Sequence, residues 1–212
     1  MRFMKSSESP NYVRMKNQFN KWSNWACAQV VLHSLTSVRV DALERLLAIA
    51  SECCAVNNFN TAYAIAAGLQ AVSISRLKKT WEKISKKSKL HQQELQTLFD
   101  VADNHRNYVD RLERSTPPLL PYIGLFGKHL FGLEEGNPSK LHGMWNIEKM
   151  RKIFHVLKEK RMYEVVSYPW ELNADLKHYF DTIAMVDEET LYRQSTECEE
   201  KTPRKKLQTP RK

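Results

Sequence analysis

The chain has few of the residues that interrupt helices or crosslink a fold. Its 212 residues include only six glycines and four cysteines. Cys27, Cys53, Cys54 and Cys198 show no C-x-x-C spacing, so they predict buried thiols in a reducing compartment rather than a zinc site or a disulfide framework. The sequence also lacks a secretory leader pattern and an apolar run of membrane-spanning length, which predicts a soluble intracellular protein.

Signals for β-strands are nearly absent. No stretch alternates steadily between apolar and polar residues, and no Asn-Gly pair marks a hairpin turn. Five of the six glycines lie between Gly124 and Gly143, so the rest of the chain runs without breakers. Apolar residues recur at i, i+3, i+4 and i+7 in stretches such as Val38–Ala55 and Ile147–Met162. This spacing predicts an all-α fold, and the length fits one domain with its own core.

Motifs for covalent or metal-assisted chemistry are missing as well. The sequence has no phosphate-binding G-x-x-x-x-G-K-[ST] loop, no G-x-G-x-x-G fingerprint and no nucleophile elbow around a serine. None of the seven histidines pairs at i, i+4 with a third ligand nearby. We therefore expect no metal site, no cofactor and no bond-making chemistry, and we expect a protein that acts by binding.

The net charge of +9 is concentrated at one end of the chain. Residues 201–212 (KTPRKKLQTPRK) carry six positive charges and no negative ones, which leaves 27 basic against 24 acidic residues elsewhere. We expect this segment to be a disordered basic tail, with membrane-surface binding and nuclear import as alternatives. The mildly basic remainder does not predict a nucleic-acid-binding domain. Residues 1–13 are polar and are predicted to be disordered, and Lys83–Lys89 is predicted to be a solvated basic link.

The segment from Pro117 to Pro138 (PPLLPYIGLFGKHLFGLEEGNP) is the most informative part of the chain. The prolines suit the start of a helix, and Gly136 is predicted to form a left-handed C-cap before Pro138. Lys128, Phe131 and Glu135, at i, i+3 and i+7, share one face of that helix, which we predict points outward. Leu125, Phe126, Leu130 and Leu133 point elsewhere, toward a core. The alternative is an ordinary surface helix with an acidic end.

Several motifs occur in an order that resembles a known family. They are FNKWSNWACAQVV, NNFNTAYAIAAGL, ISRLKKTWE, PPLLPYIGLF, LEEGNP and NIEKMRKIF. Together they resemble the catalytic domain of guanine nucleotide exchange factors for Ras-family small GTPases, the Cdc25-homology domain. The resemblance runs from about Tyr12 to about Arg204 and places the domain at residues 14–200. It implies an all-α bowl of helices with a projecting helical hairpin, which in this chain runs from about Leu120 to about Met162.

The resemblance also implies roles for particular residues. In this family the projecting helix opens the first switch segment of the GTPase, an apolar side chain enters the Mg²⁺ neighbourhood, and a glutamate one turn later approaches the phosphates. The matching positions are Phe131 and Glu135, and Lys128 lies on the same face. The second switch is expected to contact Asn57, Asn58, Asn60, His105 and Tyr122. For the asparagines, the residues alone also allow capping of the helix that starts near Thr61.

Departures from the family pattern leave the partner open. His105 stands where many relatives carry tyrosine, Lys128 where many carry threonine, and Phe131 is bulkier than usual, so Ras-, Rap- and Ral-type GTPases are all candidates. The family domain normally has a further helical segment ahead of the stretch matched by Tyr12–Val31. We therefore expect exposed apolar surface on the first helices.

Three functions follow in order. The first is a cytoplasmic exchange factor that is recruited to membranes through its GTPase or its basic tail. The second is an exchange-inactive GTPase-binding or scaffold protein on the same fold. The third is a nucleic-acid or membrane-surface binder that uses the tail.

Overall fold

The architecture consists of helices and one very short β-hairpin, which confirms the all-α class. The computed structural model describes residues 9–161 and 166–200. Within these ranges the elements are α1 (Pro10–Val31), α2 (Thr36–Ala55), α3 (Phe59–Gln70), α4 (Val72–Ser75), α5 (Lys78–Glu82), α6 (Lys86–Leu98), a 3-10 turn (Ala102–Asn104), α7 (Arg106–Glu113), α8 (Ile123–Gly136), β1 (Lys140–Leu141), β2 (Met144–Trp145), α9 (Ile147–Arg161), α10 (Ala174–Thr182) and α11 (Glu188–Cys198).

The start of α1 differs from the prediction. The helix begins at Pro10 and not at Arg14, so residues 10–13 are helical although the sequence suggested disorder. Proline suits this position because it lacks the N–H that the first turn cannot pair, and its ring fixes a helical φ. The remainder of the predicted N-terminal segment, residues 1–8, and the basic tail 201–212 lie outside the described residues.

Helices α1, α2 and α3 pack together to form the centre of the core. Their small residues allow close approach, as the sequence of α3 predicts. At Gly68 in α3, a Cβ atom would lie 2.3 Å from the backbone oxygen of Ser23 in α1, so only glycine fits this crossing. The fully buried apolar side chains of these helices include Ala26, Val30, Val31, Leu43, Ala50, Phe59, Ala62 and Ile65.

A polar network attaches the C-terminal helix to this core. The Glu199 carboxylate accepts hydrogen bonds from the backbone N–H groups of Lys79 and Thr80 and from the Thr80 hydroxyl, at 2.8–3.1 Å. Thr80 Oγ1 also accepts a bond from the buried Arg39 at 3.2 Å. Arg76 donates to the backbone oxygens of Ser195 and Glu199. The network joins residues about 120 positions apart, so α11 is an integral part of the domain.

Helix α6 begins earlier than the sequence suggested. The predicted basic link Lys83–Lys89 is partly helical, because α6 starts at Lys86. The Ser85 side chain caps it by accepting from the Ser88 N–H at 3.3 Å. A serine N-cap satisfies first-turn donors, which offsets the unfavourable position of lysines near a helix N-terminus.

Apolar side chains are exposed where α1 meets α2, as the sequence predicts. Leu32, Leu35 and Ile49 are 50%, 65% and 43% exposed. None of the described helices combines the length and the apolar character that crossing a bilayer requires.

Candidate functional site

Helix α8 presents the predicted outer face. Leu125 and Leu130 are buried on its inner side, whereas Lys128 and Glu135 are exposed. Phe131 is 46% exposed, which is unusual for a large aromatic side chain on a helix that packs against others. We call Lys128, Phe131 and Glu135 the outer face of α8; it carries one cation, one aromatic ring and one carboxylate.

The end of α8 contradicts the predicted glycine cap. Gly136 is the last helical residue and does not adopt positive φ, and Asn137 follows in extended conformation. Side chains cap the helix instead. Asn137 Nδ2 donates to the carbonyl of Leu133 at 3.0 Å, and Lys149 Nζ donates to the carbonyl of Glu134 at 3.0 Å. A helix leaves its last carbonyls without intrahelical partners, and these two donors satisfy them.

A tight turn connects α8 to α9. β1 pairs antiparallel with β2, and the two residues between them, His142 and Gly143, have φ of 50° and 83°. Two left-handed residues give the turn whose twist matches a two-residue β-hairpin. The chain therefore reverses at the tip, and α9 packs back along α8. The two helices and the turn form the predicted helical hairpin, although its last predicted residue, Met162, lies outside the described residues.

The three predicted asparagines lie at the base of this hairpin. Asn58 Oδ1 accepts from the Thr61 N–H at 3.1 Å, so this residue caps α3, as the alternative interpretation proposed. Asn60 is 6% exposed, and its Oδ1 accepts from the Ile123 N–H at 3.3 Å, at the first residue of α8. Asn57 Nδ2 donates to the carbonyl of Thr116 at 3.1 Å. In this structure all three side chains hold the chain's own backbone, and two of them fix the segment that enters the hairpin.

Tyr122 anchors the same base through aromatic contacts. Its ring lies 5.1 Å from the ring of Phe19 and 4.5 Å from that of Tyr63, centroid to centroid. Its backbone N–H donates to the hydroxyl of Tyr108 at 2.8 Å. Burial raises the pKa of the Tyr122 hydroxyl, so the side chain stays neutral at physiological pH. The hairpin therefore starts from a rigid aromatic platform.

His105 lies beside this platform and is mostly buried. It is 7% exposed, its backbone is left-handed with φ of 63°, and its ring stands edge-on to Tyr63. Burial lowers the pKa of His105, and the positive charges of Lys128 and His129 on α8 lower it further, whereas Asp100 opposes them. The imidazole is thus electrostatically coupled to the outer face of α8.

Sequence reasoning missed several residues that position the site. Tyr12 of α1 lies against α8 at Gly127, where a Cβ atom would come within 2.0 Å of the Tyr12 hydroxyl oxygen. Lys149 and Asn146 hold the two helices of the hairpin together. The glycine at position 127 was the one available signal for a close approach, and a lysine gives no sequence signal that it is buried.

The site is a surface and not an enclosed pocket. A cleft of about 1040 Å³ lies between α1, α3 and α11, but it shares no lining residue with the outer face of α8 or with the hairpin base. Among the described residues, no group of three or more His, Cys, Asp or Glu side chains could hold a metal ion. Burial raises the pKa of Cys53 to about 11 and that of Cys54 to about 12, which makes these thiols poor nucleophiles. The arrangement suits protein–protein contact.

Comparison with known proteins gives a consistent result. The family model described as "RasGEF domain" matches residues 1–151. The chain is 33% identical over 183 residues to Ras guanine nucleotide exchange factor D of Dictyostelium discoideum, covering 86% of this chain and 27% of that protein. It is 32% identical over 205 residues to human Ras-specific guanine nucleotide-releasing factor 1, covering 96% of this chain and 16% of that protein. The chain thus spans at most about a quarter of the length of these relatives.

Proposed function

Because this chain belongs to the RasGEF domain family, we propose that it binds a Ras-family small GTPase and promotes the exchange of GDP for GTP. One observation of the structure carries the mechanism: an exposed phenylalanine and an exposed glutamate lie one turn apart on the outer face of a hairpin whose base is fixed. The names of the relatives refer to Ras exchange and release, and the fold presents a surface suited to that task.

We infer that the outer face of α8 inserts between the nucleotide and the first switch segment of the GTPase. Phe131 occupies the neighbourhood of the bound Mg²⁺, and Glu135 approaches the phosphates. Displacing the metal ion leaves the phosphate charge uncompensated, and a carboxylate close by repels it further. Lys128, near the start of this face, is then placed to meet acidic or carbonyl groups of the GTPase.

The exchange requires no covalent step. A protein that binds the nucleotide-free GTPase more tightly than the GDP-bound form must weaken GDP binding by the same factor. GTP then enters the emptied site because it competes for it, and its binding releases the exchange factor. We expect no metal or cofactor of the protein's own to take part.

The hairpin base supplies the second contact. We propose that Tyr122, Asn57 and Asn58, which are half-buried, meet the second switch directly. Asn60 and His105 are buried, so we assign them to holding α8 and the aromatic platform in place beneath that contact. This division keeps all five predicted residues in the interface while assigning two of them an indirect role.

We further propose that the protein is cytoplasmic and that it reaches membranes through its GTPase or through the basic segment 201–212. Anionic lipid surfaces attract such a segment by about 1 kcal/mol per basic residue close to the surface. Nucleic acid is not an expected partner.

The direct test is the release of fluorescent GDP from Ras, Rap and Ral. Wild-type protein at micromolar concentration should accelerate release from at least one of them. Phe131→Ala and Glu135→Ala should each reduce that acceleration by roughly 10- to 100-fold, since each removes an interaction worth about 1.4–2.7 kcal/mol at the barrier. Phe154→Ala, which removes an equally exposed ring from α9, is the matched control and should leave the rate unchanged.

Two results would redirect the proposal. Stable binding to a nucleotide-free GTPase with no effect on release favours the exchange-inactive scaffold. Equal loss of rate in Phe154→Ala and Phe131→Ala would mean that the face of insertion has been assigned wrongly.

A further inference from the structure

A buried lysine joins the two helices of the hairpin near Glu135. Lys149, in the first turn of α9, is 4% exposed. Its Nζ donates to the backbone oxygen of Glu134 at 3.0 Å and to Ser139 Oγ at 3.1 Å, and it lies 3.1 Å from Glu134 Oε2. A buried ammonium group is costly unless its donors are satisfied, so these partners hold Lys149 against the end of α8.

Asn146 adds a second set of bonds at the same place. This residue is 8% exposed, and its Nδ2 donates to the carbonyl of Pro138 at 3.0 Å. Its backbone N–H donates to the carbonyl of Ser139, and its Oδ1 accepts from the Lys149 N–H, both at 3.0 Å. We call Lys149 and Asn146, with their partners Glu134, Pro138 and Ser139, the hairpin clamp.

The hairpin clamp acts on a helix end that is weak on its own. α8 contains four glycines in 14 residues and lacks a left-handed glycine cap. Glycine gives the backbone more freedom in the unfolded chain, so the last turn of such a helix frays easily. Glu135 lies in this turn, between Glu134, which the clamp holds, and Gly136.

The clamp also separates the roles of two adjacent carboxylates. Glu134 forms an ion pair with Lys149, whereas none of the three ion pairs among the described residues includes Glu135. One carboxylate is thereby partly neutralised within the hairpin, and the other stays exposed on the outer face of α8.

We propose that Lys149 is a positioning residue for nucleotide exchange. It fixes the last turn of α8 against α9 and so determines where Glu135 meets the GTPase. This inference rests on the proposed exchange function, and it adds a residue that does not itself touch the nucleotide.

The kinetic test separates positioning from binding. GDP release is measured against protein concentration for the wild type and for Lys149→Met, which keeps the length of the side chain without its charge. The maximal release rate should fall about tenfold while the half-saturating concentration changes less than about twofold, because Glu135 acts at the barrier and its placement is what the substitution disturbs. Lys149→Arg should recover most of the maximal rate. Arg151→Met, which removes an exposed ion pair in the same helix, should match the wild type.

A double substitution tests whether Lys149 acts through Glu135. If it does, Lys149→Met combined with Glu135→Ala should release GDP no more slowly than Glu135→Ala alone. Additive losses would overturn the inference, because they would assign Lys149 a separate role.

Hydrogen exchange of the backbone amides decides the matter without a GTPase. Lys149→Met should lose protection at residues 134–137 while α1–α3 keep theirs, and Arg151→Met should lose none. Unchanged protection at residues 134–137 overturns the inference whatever the kinetics give. If the wild type accelerates release from no GTPase, the proposed function fails and Lys149 has no role in exchange, yet loss of protection would still establish the clamp.

Discussion

His105 combines burial, a left-handed backbone and two positive neighbours on α8. Desolvation lowers its pKa from the ordinary value of 6.5, and the charges of Lys128 and His129 act in the same direction. A histidine whose pKa is lower in the folded state takes up its proton more readily when the chain unfolds. Its contribution to stability is therefore complete above pH 6.5 and is lost as the pH falls through the folded-state pKa.

We predict that His105→Asn flattens the acid side of the stability profile. Asparagine tolerates the left-handed backbone but does not titrate. The free energy of unfolding, measured by urea denaturation between pH 8 and pH 5, should fall less steeply in the variant than in the wild type. Identical slopes would show that His105 is not the titrating group.

The asparagines show how one residue type can serve two purposes. Asn58 caps α3 and Asn60 bonds the start of α8, so alanine at either position is expected to disturb the hairpin base before any GTPase is present. Loss of exchange in such variants therefore has to be judged beside their stability.

Helix packing makes opposite demands on two glycines. Gly68 lies where α3 crosses α1, and a methyl group there would meet the Ser23 backbone oxygen at 2.3 Å. Gly132 lies on α8 with nothing within 4 Å of an added Cβ. The first glycine is required by packing, and the second only weakens its helix.

We predict that Gly68→Ala destabilises the fold by about 1–3 kcal/mol, because the helices must move apart. Gly132→Ala should instead stabilise α8 by about 0.5–1 kcal/mol, the difference in helix propensity. Circular dichroism during urea unfolding measures both. Equal effects of the two substitutions would contradict the close crossing of α1 and α3.

The sequence predicts the outer face of α8 because helical periodicity alone places Lys128, Phe131 and Glu135 together, and the structure shows all three exposed. It also suggests the cap at Asn58. It does not predict the β-hairpin at His142–Gly143, because two-residue strands carry no alternation, nor the start of α6, where Ser85 overrides a run of lysines. Lys149 is missed because its burial depends on the end of another helix. The roles of the site residues in exchange remain predictions.

The whole molecule is closed by contacts between segments far apart in sequence. Glu199 follows α11 and caps the first turn of α5, where a helix offers no intrahelical partners to its N–H groups. Arg76 holds the end of α11 through backbone oxygens. The hairpin therefore stands on a body whose last helix is attached to its centre.

Glu199→Gln should lower the free energy of unfolding by about 1.5–3 kcal/mol, since it removes the charge from a buried acceptor of three hydrogen bonds. Glu197→Gln, an exposed change on α11, is the control and should have little effect. Urea denaturation followed by tryptophan fluorescence compares them. A stability loss of equal size in both variants would argue against the network.

The central claim is that the protein stabilises the nucleotide-free form of a Ras-family GTPase. The most direct measurement is the dissociation constant of the complex, determined for the same GTPase in its nucleotide-free and GDP-bound forms. The account predicts that the nucleotide-free form binds at least about 100-fold more tightly, and that added GDP dissociates the complex. Equal affinity for the two forms would contradict the account, because such binding cannot drive nucleotide release.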